Sequence, residues 1–262
     1  MRALLNLSAK GDEFVPPSSR DFVLPPIFED IAFLTKPILF SFVAAVLVGV
    51  FFSMSARKAA VVPSKFQFAG ELVYGFVRKD LGTEILGHEF RRFMPYLFTL
   101  FTFILTNNIF GIVPFIQFPT FSRISFAYVL GIIAFGVFHY VGLRKQGVKK
   151  YIKDIMFMPG VPKPVYILLT PIEIATYLVV RPLTLSLRLF ANMFAGHLLL
   201  MIFFLGGEHL LQGAVAMKFV GVFSFGMGIA LTFFEFLVQC LQAYIFTLLT
   251  ALYIAGGLAD EH

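Results

Sequence analysis

Three stretches of this chain, residues 37–56, 93–122 and 124–143, contain no Asp, Glu, Lys or Arg at all. About 20 such apolar residues suffice to cross a hydrocarbon core of about 30 Å, so each is read as a membrane helix rather than a buried soluble one. A fourth and a fifth follow from residue 165 onward, where two long apolar segments flank the turn-like run 206–213, Gly-Gly-Glu-His-Leu-Leu-Gln-Gly. The second of these, 214–257, has no proline. As one helix it would measure about 66 Å at 1.5 Å per residue, twice the hydrocarbon thickness, so it must tilt steeply or break.

The expected fold is therefore all-α and integral to the membrane, with about five membrane helices, the last two a long, steeply tilted hairpin. Composition agrees: 58% of residues are hydrophobic and 14% charged, against the roughly 25% charged of soluble domains. Segment by segment, 1–36 is read as an N-terminal outer stretch, 37–56 as the first span and 57–92 as a basic connector with an interfacial amphipathic helix. Residues 93–143 make a helix pair, with Pro114 stopping the first member. Residues 144–164 form a basic inner loop broken by Pro159, Pro162 and Pro164, and 165–262 form the hairpin. No cleaved signal peptide is expected, because the first 36 residues carry four prolines and scattered charges before any long apolar run.

The net charge of +6 does not indicate nucleic acid. Its lysines and arginines gather in the connectors 57–92 and 144–163, whereas only Arg123 lies between the second and third spans and none in 206–213. With five crossings the positive-inside rule then puts the N-terminus outside and the C-terminus inside. The single Cys240 excludes a disulfide framework, and neither a phosphate-binding glycine loop nor an H-E-x-x-H pattern occurs. No cofactor and no metal are expected.

The informative residues are the polar ones inside the hairpin. An Arg at the centre of a membrane helix costs about 2.5–3.5 kcal/mol on insertion scales, so Arg188 requires an anion or water. At 100° per residue Arg181, Thr184, Arg188 and Asn192 form one polar stripe on the first arm, and Glu235, Gln239 and Gln242 form another on the second. Two stripes suggest facing helices. In an antiparallel pair, neighbouring residues have numbers of constant sum, and one register pairs Arg188 with Gln242, Asn192 with Gln239 and His197 with Glu235. That register is centred about six residues beyond the glycine-rich turn, which a staggered hairpin absorbs. A histidine beside a carboxylate in apolar surroundings can pass protons near neutral pH. Snorkelling to headgroups suits Arg181, Lys218 and Glu173, and a plain hydrogen-bonded clamp is the alternative for His197 and Glu235.

The run PLTLSLRLFANMFAGH at residues 182–197, with LQAYIF at 241–246 and TNNIFGIVP at 106–114, resembles subunit a of the F-type rotary ATP synthase. The resemblance covers roughly residues 93–262. It implies a stator subunit that is not an enzyme by itself: a proton-conducting component coupling proton flow to rotation and ATP synthesis. Its partners would be a rotating c-ring of lipid-embedded carboxylates, the b subunits of the peripheral stalk and the lipid bilayer. In the family, the Arg matching Arg188 keeps the passing ring carboxylate ionised and separates two aqueous half-channels. His197 and Glu235 would then line the outer half-channel, Asn192 and Gln242 would hold water or steady the guanidinium, and Gln239, Asn107 and Asn108 would extend the outer path. Thr184 would lie towards the inner side. Some family members carry the acid on the first arm and the His on the second; here they are exchanged, which suggests that the two positions are close together. The bacterial plasma membrane is the expected compartment, with the mitochondrial inner or thylakoid membrane as the alternative. Against this stand a free-standing proton-coupled transporter, disfavoured by the lack of repeated halves, and a purely structural membrane scaffold.

Overall fold

The computed structural model describes residues 14, 16–22, 35–57, 60, 62–113, 116, 119–156 and 165–258, and no strand occurs among them. Helix α1 is Lys36–Ala56, entered through Pro37, whose missing N–H costs nothing in a first turn. Helix α2, Lys65–Phe76, is capped by Ser64, whose hydroxyl accepts from the Gln67 N–H. A π-helical stretch Val77–Thr83 and two short turns then lead into α3, Phe90–Phe110. Helix α4 is Ile124–Gln146, α5 Val148–Met156 and α6 Tyr166–Ala175. A second π-helical stretch, Thr176–Val180, joins α6 to α7, Arg181–Leu211, and α8 is the unbroken Val215–Leu258.

Five helical stretches are long and apolar enough to cross a membrane: Lys36–Ala56, Lys65–Phe110, Ile124–Gln146, Tyr166–Leu211 and Val215–Leu258. The protein is therefore the multi-pass, all-helical membrane protein expected from its sequence, with the hairpin last. At 44 residues, α8 lies within an apolar layer only if strongly inclined, since it does not break.

The sequence places the hairpin turn at 206–213, but α7 continues through most of that run and the chain reverses at residues 212–214. The glycines there serve close approach instead of turning. A β-carbon on Gly207 would come within 3.0 Å of the Phe225 ring, and one on Gly221 within 3.0 Å of the Gly207 carbonyl oxygen. With the reversal shifted, the stagger that the expected register demanded largely disappears.

Two connectors hold more structure than their charges suggest. The stretch around α2 packs on the first span through Phe51 on Phe66 and through Gly70 against Ser55, while Phe76 reaches Phe101 and Tyr244. In the connector that begins at residue 144, Gly147 turns the chain at φ +80°, and α5 follows with Lys149, Lys150 and Lys153 exposed. Its Tyr151 is 7% exposed, lies against Gly142 of α4 and hydrogen-bonds His139 Nδ1 at 2.7 Å. Burial, with Tyr177 acting in the same direction and Arg181 opposing, pushes the Tyr151 phenol up to about 12, so it stays protonated at any physiological pH. Pro114, Pro159, Pro162 and Pro164 lie outside the described residues, as do most of residues 1–36.

Helix α8 packs against α7, α4 and α3, and α7 packs against α4. Leu97, Ile104, Ala127, Ala134, Leu189, Ala243, Phe246 and Ile254 are all fully buried in this shared core. The core fixes which face of each hairpin arm looks inward, and so positions the polar residues.

Candidate functional site

Leu185, Leu189 and Met193 hold α7 against the bundle, at 2%, 0% and 1% exposure. With that face committed inward, the i, i+4 geometry leaves Thr184, Arg188 and Asn192 on the outside. Arg188 is exposed and makes no hydrogen bond or ion pair to any described residue. Around it the surface is apolar: Leu187, Ala191, Ala195 and Leu199 on α7, with Phe234, Leu237 and Leu241 beside them on α8. An isolated guanidinium in such a field has no anion among the described residues. Thr184 spends its hydroxyl on its own helix, donating to the Val180 carbonyl at 2.7 Å.

The stripe on α8 faces the other way. Glu235, Gln239 and Gln242 are 4%, 3% and 2% exposed, while Phe233, Phe234 and Leu237 point outward. The Glu235 side chain is met by Gly196, where a β-carbon would lie 3.1 Å from its Cδ and Oε1. Glu235 Oε1 accepts from Gln239 Nε2 at 3.1 Å, and Gln239's backbone carbonyl accepts from Asn108 Nδ2 at 3.1 Å. Asn107 Nδ2 donates to the Phe103 carbonyl of its own helix at 2.9 Å. The link between the two stripes is Asn192 Nδ2 donating to Gln242 Oε1 at 2.9 Å, where the sequence register paired Asn192 with Gln239.

Among the described residues several buried polar atoms keep no partner: Asn107 Oδ1, Asn108 Oδ1, His197 Nδ1, Glu235 Oε2, Gln239 Oε1 and Gln242 Nε2. An unpaired buried polar atom costs about 1–3 kcal/mol, and native interiors tolerate few of them. Two of them, Glu235 Oε2 and Gln239 Oε1, belong to one hydrogen-bonded pair, to which Asn108 is tied through the Gln239 carbonyl. Beside Glu235 lies a cavity of about 340 Å³, lined by Asn192, Ala195, Gly196, Leu199, Leu200, Leu231, Phe234, Glu235 and Val238. Since Ala195 and Phe234 are exposed, its mouth opens on the face that carries Arg188. His197 is outside that lining and makes no hydrogen bond to Glu235; its ring rests edge-on against Phe22, with centroids 5.8 Å apart. No cluster of three or more His, Cys, Asp or Glu is placed to hold a metal among the described residues.

The family model described as ATP synthase A chain matches residues 38–255. The chain belongs to the ATP synthase A chain family. It is similar to ATP synthase subunit a of a Nocardioides species, with 49% identity and 97% of each chain covered. Subunit a of Pseudarthrobacter chlorophenolicus is 44% identical over the whole of both chains, and that of Hyphomonas neptunium 45% identical over 89% of this chain and 90% of the relative. As a member of this family the protein is a proton-conducting stator component of the F-type ATP synthase and does not catalyse by itself.

Sequence reasoning passed over two groups that the family's fold brings together. Arg181, read as a candidate for snorkelling, instead lies over the Tyr177 ring at 3.5 Å and near the Tyr253 ring at 5.0 Å, a paired cation–π seat. Tyr177 sits four residues before Arg181, a spacing that carries this signal. The second group is N-terminal: Phe14 and Phe22 rest on α7, and only tertiary structure reveals it.

Proposed function

We propose that the face carrying Arg188 meets the rotating c-ring, and that Arg188 is the fixed cation past which each ring carboxylate moves. What carries this reading is the exposure of Arg188 within an apolar surface, without a partner among the described residues. In a low-dielectric setting that charge is stabilised by a complementary anion, and Arg, unlike Lys, does not discharge by losing its proton.

The coupling then follows from electrostatics. A ring carboxylate close to the guanidinium stays ionised, because an opposite charge within about 4–6 Å favours the charged form. It cannot move on into lipid as an anion, since a bare charge there is too costly, so it must first take a proton. The cavity beside Glu235 is where that exchange occurs. Glu235 and His197 carry protons in the outer half-channel, Gln239, Asn107 and Asn108 extend it through their free polar atoms, and Asn192 with Gln242 holds the junction next to Arg188. The inner half-channel opens on the Thr184 side. Because the guanidinium lies between the two, a proton reaches the inner side only by riding the ring. One charge crossing 100 mV gains about 2.3 kcal/mol, which is delivered as rotation.

In this reading the subunit lies in the bacterial plasma membrane, N-terminus outside and C-terminus inside, with the peripheral-stalk b subunits holding it against rotation. The bacterial relatives and the basic connectors support that placement. Neither a cofactor nor a metal is needed.

The test is ATP synthesis by whole complexes in membranes given an imposed proton gradient. Arg188→Ala abolishes synthesis while leaving the complex assembled; synthesis at the normal rate would overturn the reading.

A further inference from the structure

The N-terminal segment does more than precede the first span. Phe14 stacks near His209 with centroids 5.4 Å apart, beside the hairpin turn, and Phe22 lies against Phe194 at 4.9 Å and His197 at 5.8 Å. From His209 to His197 is twelve residues of one helix, about 18 Å at 1.5 Å per residue. The segment therefore descends along α7 from the turn to the level of the half-buried His197.

Its construction suits that course. Pro16 and Pro17 hold the backbone extended and bar a helix. The last turn, Ser19–Phe22, is closed by Asp21, whose carboxylate accepts from the Ser18 N–H at 2.7 Å. Phe22 is 4% exposed, so its ring is a seated wedge. Its carbonyl oxygen accepts from Arg123 Nε at 3.2 Å. Arg123 is the one cationic side chain in the connector between the second and third spans, and the charge rule leaves it without a task. The geometry gives it one.

We infer that residues 16–22, tethered by Arg123, form a strap that seats the His197 ring, making Phe22 and Arg123 positioning residues for proton transfer through His197. The ring of Phe22 bears on one edge of the imidazole. Its Nδ1, buried and without a partner among the described residues, is left for a mobile proton carrier. Removing the wedge lets the imidazole tilt and lets solvent reach it from the turn end. The inference rests on the reading of His197 as part of the outer proton path.

Two measurements on the whole ATP synthase in vesicles test it. In the first, His197→Cys in a Cys240→Ser background is labelled with a membrane-impermeant maleimide supplied from the turn side. Labelling is slow with Phe22 present and roughly tenfold faster with Phe22→Ala or Arg123→Gln, on the scale of losing an aromatic edge contact. In the second, made with His197 intact, ATP synthesis is followed against outer proton concentration. Phe22→Ala and Arg123→Gln shift the half-saturating concentration by roughly 3- to 10-fold and change the maximal rate less than about twofold, whereas Phe22→Tyr restores the original curve.

Unchanged labelling overturns the strap. Faster labelling with an unshifted proton dependence overturns the positioning role, as does a Phe22→Tyr variant no better than Phe22→Ala. Should Phe22→Ala reduce assembly, Arg123→Gln removes the tether while keeping the Phe22 ring, and yields both readouts. Failure of the broader reading shows itself separately, as an Arg188→Ala complex that still makes ATP.

Discussion

The two polar stripes of the hairpin each hold one ionisable side chain and two neutral polar ones, in opposite surroundings. Thr184, Arg188 and Asn192 look outward across apolar side chains, while Glu235, Gln239 and Gln242 are nearly sealed inside the bundle. The outward stripe has a charge without a partner among the described residues, and the inward stripe has too many hydrogen-bonding atoms for its partners. The first asks for another polypeptide and the second for water. Periodicity alone does not separate them, because it tells which residues share a face and not what that face meets.

The comparison breaks most visibly at Arg188. Arg188→Ala removes coupled ATP synthesis by at least roughly 100-fold, the scale of a charge partner lost from a low-dielectric site. Arg188→Lys restores little of it, since an ammonium can lose its proton where a guanidinium does not. Gradient-driven ATP synthesis in vesicles is the readout. A lysine variant with full activity would show that point charge alone suffices.

On the inward side, Glu235→Gln keeps the shape and the hydrogen bond from Gln239 but removes the proton carrier. Gradient-driven proton flux falls by roughly 10- to 100-fold, the lower range for a positioned acid–base group, with assembly intact. If flux survives, the cavity beside Glu235 conducts by water alone.

The link between the stripes has a smaller effect. Asn192→Ala and Gln242→Ala each slow synthesis by roughly 2- to 10-fold, as the loss of one hydrogen bond would, and the double variant is little worse than either. Additive losses in that double-mutant cycle would mean that the two side chains act separately. The smallest effect belongs to Thr184→Val, within about twofold in synthesis rate, since its hydroxyl is already used by the Val180 carbonyl. A large loss would put Thr184 in the inner path after all.

Much of the fold is legible in the sequence because membrane helices are chosen by length and apolarity, and 37–56 and 124–143 have both without ambiguity. The antiparallel register is legible too: Gly196 meets Glu235, and Phe204 meets Gly228, close to the expected constant sum. The turn is less so, because glycine signals either a reversal or close packing and only the partner helix decides which. Gly207 lies against Phe225, and packing decides. The connector after α4 misleads for a related reason: four lysines read as a solvated loop, yet Tyr151, among them on a short helix, anchors it on Gly142. In the candidate site Arg188, Glu235 and Gln242 follow from polarity in the wrong place. The direct pairing of His197 with Glu235 does not appear as a hydrogen bond: Gln239 donates to one carboxylate oxygen, the other keeps no partner among the described residues, and the imidazole rests against Phe22. No local pattern links residue 22 to residue 197, so that contact is invisible before folding.

The continuity of α8 has a mechanical consequence. One rod of 44 residues carries Phe225, Glu235 and Tyr253 in turn along its length, without a proline to act as a hinge. A sideways push on its outer surface cannot be absorbed by bending at a single joint, and it is borne by the helices packed behind. Such a beam spreads a local load along its length onto α7, α4 and α3, against which it packs.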